Sequence, residues 1–152
     1  MSKLTNQFGF SIIELLIVIG IFAILASIGL FFSVDFFRHY STNSEETTLV
    51  STLSKARSRS LANVNGNAHG VRIKGGQYIL FQGNTLPLTW ANRDNTKDQP
   101  VPVGTGVSTA DHDVVFDQLS GNATCTPDCT LTMNGLSVPK TITINAQGAI
   151  LW

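Results

Sequence analysis

A single carboxylate, Glu14, stands among twenty-five residues from Phe10 to Val34 that carry no other charge. At the centre of a membrane helix such a group costs roughly 2.5–3.5 kcal/mol on insertion scales, so its presence asks for a partner. Ahead of it lies a short polar leader ending in Gly9, in which Lys3 is the one charged side chain. Three other groups have residue types suited to chemistry. Cys125 and Cys129 enclose Thr-Pro-Asp, a spacing that serves as a small disulfide-closed turn or as half a metal site. There is no second cysteine pair, and His39, His69 and His112 are scattered. A disulfide is therefore expected if this part of the chain is exported, and no metal. Asp111-His112-Asp113 offers acid–base or ligand groups, but Asp occurs readily in turns, and a solvated turn before a strand is expected. Lys55, Arg57 and Arg59, with Arg72 and Lys74 nearby, are candidate contacts for the phosphates of DNA. Lys55 and Arg59 share a helix face and Arg57 lies apart from them. Ten Lys+Arg balance ten Asp+Glu, which argues against a DNA-coating chain and for a solvated face. No serine-nucleophile motif, HExxH, phosphate-binding glycine loop or EF-hand pattern occurs, so neither an enzyme nor a cofactor is expected.

The element that holds Glu14 is legible from its length. Leu15 to Val34 is uncharged over twenty residues, which as an α-helix rise about 30 Å, the thickness of a bilayer core. A core helix of a soluble domain would carry a polar stripe, and this one has none. A cleaved secretory signal would be shorter and followed by a small-residue cleavage site. A plain signal anchor explains the length but not Glu14. Lys3 and the Met1 amine precede the span, so the N-terminus is expected in the cytoplasm, with a single pass through the inner membrane and the remainder exported.

Residues 35–63 read as an amphipathic continuation of the helix. Leu49, Leu53 and Ala56 form its packed face, with a neighbouring row of Val50, Leu53, Arg57 and Leu61. Thr42 with Glu45, and Asn43 with Glu46, fit capping-box spacing, so a kink or interruption is expected near residues 41–45. Residues 64–152 read as a β-rich head. Its signals are a hairpin turning at Gly75-Gly76, a poorly patterned stretch from Asn84 to Asp111, and strands around 114–116 and 130–133. A terminal hairpin turns at Gly148.

The stretch FGFSIIELLIVIGIFAILASI resembles the class III signal of type IV pilins and type II secretion pseudopilins. In that family a short basic leader ends in Gly, an aromatic residue follows, and a Glu stands fifth in the mature chain. Here Gly9, Phe10 and Glu14 fall in register, with Ser11 where threonine is usual. The resemblance implies removal of residues 1–9 by prepilin peptidase/N-methyltransferase, N-methylation of Phe10, and assembly with other pilin or pseudopilin subunits through a helix at 10–34. It also implies the pilin fold: α+β, one long N-terminal helix packed on an antiparallel β-sheet head. The cut exposes an ammonium on Phe10. Side by side in a filament, Glu14 of one subunit can meet that ammonium of its neighbour, and an unpaired charge there is penalised.

Ala56-Arg57, the Val114-Val115-Phe116 strand and the Gly148 turn make the head similar to the GspH/FimT group of minor pilins and pseudopilins. The implied function is a minor subunit of a secretion pseudopilus or a pilus. A DNA-binding competence pilin and a major pilin subunit are the alternatives. DNA-binding members of the group carry basic residues after the last hairpin glycine, and Gly148 to Trp152 has none.

Overall fold

The computed structural model describes residues 11–104, 108–134 and 139–152, leaving aside the side chains of residues 30–39, 41 and 42. The leader, Gly9 and Phe10 lie outside the described residues. The chain divides into two units, Met1–Arg38 and His39–Trp152, and one helix, α1 (Ile12–Leu61), contributes to both.

The interruption expected at residues 41–45 is absent: α1 is helical throughout. Thr47 Oγ1 donates to Asn43 O and Thr48 Oγ1 to Ser44 O, each at 2.9 Å, within the helix. The glutamates do not act as caps. Glu45 Oε1 accepts from Gly104 N at 2.7 Å, and Glu46 pairs with Lys140 at 3.1 Å. Both are committed to the head.

Among the described residues nine strands follow: β1 (Ala68–Lys74), β2 (Gln77–Gly83), β3 (Gln99–Pro102), β4 (Ser108–Thr109), β5 (His112–Phe116), β6 (Ala123–Thr126), β7 (Thr130–Asn134), β8 (Lys140–Ile144) and β9 (Ile150–Leu151). The fold class is α+β, as expected, and every strand pair is antiparallel. The strands form two sheets rather than one, in the orders β3-β2-β1-β5-β6 and β4-β7-β8-β9. β1 and β2 are the expected hairpin, with Gly75 and Gly76 both at positive φ in its two-residue turn. The poorly patterned stretch supplies the edge strand β3, where Pro100 and Pro102 sit as edge prolines should. In the terminal hairpin Ile144 faces Ile150 and Thr143 faces Leu151, and Trp152 lies past the strand end.

Leu49, Leu53 and Ala56 are fully buried, as their spacing predicts. They pack on Val71, Ile73, Tyr78, Leu80, Val114 and Phe116 of the first sheet and on Leu131, Met133, Ile142 and Ile144 of the second. Leu61, from the neighbouring row, is exposed instead. A smaller cluster of Ala68, Phe81, Leu88 and Val115, with Trp90 against it, adds a second patch of buried apolar surface.

Candidate functional site

Two regions carry the residues singled out by sequence. The first is the N-terminal part of α1. Ile12–Gly29 is long and apolar enough to cross a membrane, about 27 Å as a helix, and none of it is buried within the chain. Its large apolar side chains are 43–80% exposed. Exposed apolar surface of that extent marks a membrane or protein contact. Glu14 lies in the first turn, where the partial positive charge of the helix N-terminus favours a carboxylate. Nothing within the described residues pairs with it.

The second region lies where α1 ends against the head, and it brings together the three landmarks Ala56-Arg57, the β5 strand and the Gly148 turn. Ser60 Oγ donates to Phe116 O at 2.9 Å and accepts from His69 N at 2.9 Å, joining α1 to β5 and β1. Arg57 Nη2 donates to Gln147 O at 3.1 Å in the terminal turn. Gly148 has φ +75 and sits so close to the next turn that a Cβ would strike Gly121 O and crowd Arg57 Nε. Only glycine meets both demands. Arg57 is thus a structural tie to the last hairpin.

The other cations are spread among separate partners. Lys55 Nζ donates to Gln99 Oε1 at 3.3 Å. Arg72 pairs with Asp113 at 3.4 Å and stacks over Trp90, and Lys74 pairs with Asp111 at 3.3 Å. Arg59 lies close enough to His69 to disfavour its protonation. Arg72 therefore faces the Trp90 side of β1, whereas its neighbours Val71 and Ile73 face α1. The five residues do not converge on one phosphate-binding face.

Cys125 and Cys129 form a disulfide. Cys125 belongs to β6, where the sequence pattern predicts only a disulfide-closed turn. The loop closed by the disulfide is a crossover from the first sheet to the second, between β6 and β7. Asp111-His112-Asp113 is not a solvated turn throughout: His112 and Asp113 open β5, and His112 is buried. Among the described residues no three His, Cys, Asp or Glu side chains gather to hold a metal ion. Burial dominates the titration of two core groups. It pushes the Tyr78 phenol up to about 12, with the Glu45 carboxylate adding to the effect. His69 is held below the ordinary imidazole value by burial and, next, by Arg59. Both groups stay neutral at ordinary pH and serve as core residues.

Residues 4–30 match the family model described as the prokaryotic N-terminal methylation motif. No curated protein and no solved structure matches the chain. The chain thus carries a type IV pilin-like signal on an apolar helix, ahead of an antiparallel β head. That combination supports a pilin-like structural subunit, and the motif implies processing by prepilin peptidase and assembly with other pilins.

Proposed function

We propose that the chain is a minor pilin or pseudopilin of the GspH/FimT type, a subunit that assembles into a type II secretion pseudopilus or a type IV pilus. Residues 1–9 are its leader, 10–34 the membrane and assembly helix, 35–63 the helical continuation and 64–152 the head. It enters the inner membrane with its N-terminus in the cytoplasm and its head outside, and leaves the bilayer for the filament. The observation that carries the reading is Glu14, the one charge in an exposed apolar helix, in register with Gly9 and Phe10 inside the matched motif.

In this reading the carboxylate selects a neighbour. Alone in the membrane, Glu14 sits near the cytoplasmic end of the span, where its cost is modest. In the filament it pairs with the Phe10 ammonium of the next subunit, and only one axial stagger satisfies both charges. Until the cut, the leader keeps that amine blocked.

Intact mass of the membrane-extracted protein tests the processing. The expected mass lacks residues 1–9 and includes one added methyl group. Gly9→Val should leave the leader in place, because a branched side chain replaces the small one at the scissile bond. A chain that keeps Met1, or begins after Ala26, contradicts the reading.

A further inference from the structure

β5 opens on His112, whose side chain is only 5% exposed. Its Nδ1 lies 3.1 Å from Ala110 O. A carbonyl oxygen only accepts, so Nδ1 carries the hydrogen and, in the neutral ring, Nε2 is a bare acceptor. That nitrogen is shut off from solvent with no hydrogen-bond partner. It faces Asp128 Oδ1 at 3.6 Å. Two acceptors opposed at that distance do not bond.

Asp128 lies inside the disulfide loop, between Cys125 and Cys129. Its Oδ1 accepts from Thr130 N at 2.8 Å, at the start of β7. Beside it, Cys129 O accepts from Ile144 N of β8 at 2.9 Å. The loop is therefore fastened to the second sheet by backbone amides, and Asp128 is its charged contact back to β5 of the first. We propose that His112 and Asp128 form a proton-operated clasp: proton uptake at Nε2 converts two opposed acceptors into an N–H···O ion pair that tightens the crossover between the sheets.

The surrounding charges leave the clasp its own partner. β1 presents Arg72 and Lys74, which pair with Asp113 and Asp111 on either side of His112. β6 presents Thr126 opposite Asp113 and no charge. Asp128 has His112 as its only ion-pair partner among the described residues. Asp113, whose carboxyl is pushed up chiefly by burial, also changes on acidification, so the test compares proteins that share it.

With the proton on Nε2 the pair closes, and without it two acceptors face each other, so acid favours the closed clasp and alkali the open one. Amide hydrogen exchange on the membrane-extracted full chain, corrected for intrinsic rates, reads this at Thr130 and Ile144. Asp128→Asn is the variant, because its side-chain oxygen still accepts from Thr130 N. At about pH 5 the parent should be more protected than Asp128→Asn by about two- to five-fold, the range of an ion pair with one partner in solvent. At about pH 8 the two should agree. In a His112→Gln background Asp128→Asn should change nothing at either pH. An equal difference at both pH values, or one that persists without His112, overturns the clasp.

Discussion

Replacing both cysteines by alanine removes the cross-link at the crossover from β6 to β7. The closed loop runs from Cys125 to Cys129, a separation of four positions. Cross-linking so short a loop restricts the unfolded chain by about 2 kcal/mol. A head the size of His39–Trp152 loses about 4 °C of melting temperature per kcal/mol, so the double variant should melt about 8 °C lower. The sulfurs also pack against the main core, so the loss should not fall short of that figure. The assay is thermal unfolding of the membrane-extracted protein followed by tryptophan emission. Trp90 reports well, since the Arg93 guanidinium lies 3.4 Å and the Phe81 ring centroid 5.5 Å from its ring. Parent treated with reductant should lose the cross-link's share of that stability but keep the sulfur packing, so it should melt between untreated parent and the double variant or level with the latter, and thiol labelling of untreated parent should find no free thiol. A melting temperature unchanged to within about 2 °C would refute the reasoning, because the loop would then be held without its cross-link.

Leu53 is fully buried between α1 and both sheets, so Leu53→Ala should destabilise the head by about 2–5 kcal/mol, measured by urea unfolding. His69 resists protonation when folded. The unfolded chain takes up that proton more readily, so stability is complete above about pH 6.5 and declines as pH falls below it. His69→Gln should flatten that acid limb, seen as melting temperature against pH; an unchanged acid limb would show that another group controls it.

The parts legible in sequence were those governed by local rules. Leu49, Leu53 and Ala56 announce their face by helical spacing, and Gly75-Gly76 announces a two-residue hairpin. Glu14 stands out because its cost demands a reason. What escaped depended on contacts distant in the chain. The helix runs through STNSEE because Glu45 and Glu46 are taken up by Gly104 and Lys140, some sixty and ninety residues on. β6 is short and only half-buried on its inner side, so its alternation of small residues gives no apolar signal. The split into two sheets turns on β4 pairing with β7 across the intervening β5 and β6, which no local pattern encodes. Arg57 read as a surface cation, and it became a tie to Gln147 only once the terminal turn was placed beside it. Gly148 gave a usable hint, since a glycine closing a hairpin turn often marks a close approach.

The most direct test of the assembly proposal is the incorporation of Glu14→Gln into filaments, read by cross-linking engineered cysteines on the head to the adjacent subunit. Gln keeps the size and hydrogen bonding of the side chain and removes the charge. Insertion and cleavage should match the parent, because a neutral side chain is no harder to place in a bilayer. The Phe10 ammonium of the neighbour would lose its partner in apolar packing, a loss of about 3–5 kcal/mol where a buried pair is broken. Cross-link yield should therefore fall at least about ten-fold, since even 1.4 kcal/mol corresponds to that factor. Cross-linking of Glu14→Gln equal to that of the parent would contradict the account, and Glu14 would then be an incidental charge on a simple membrane anchor.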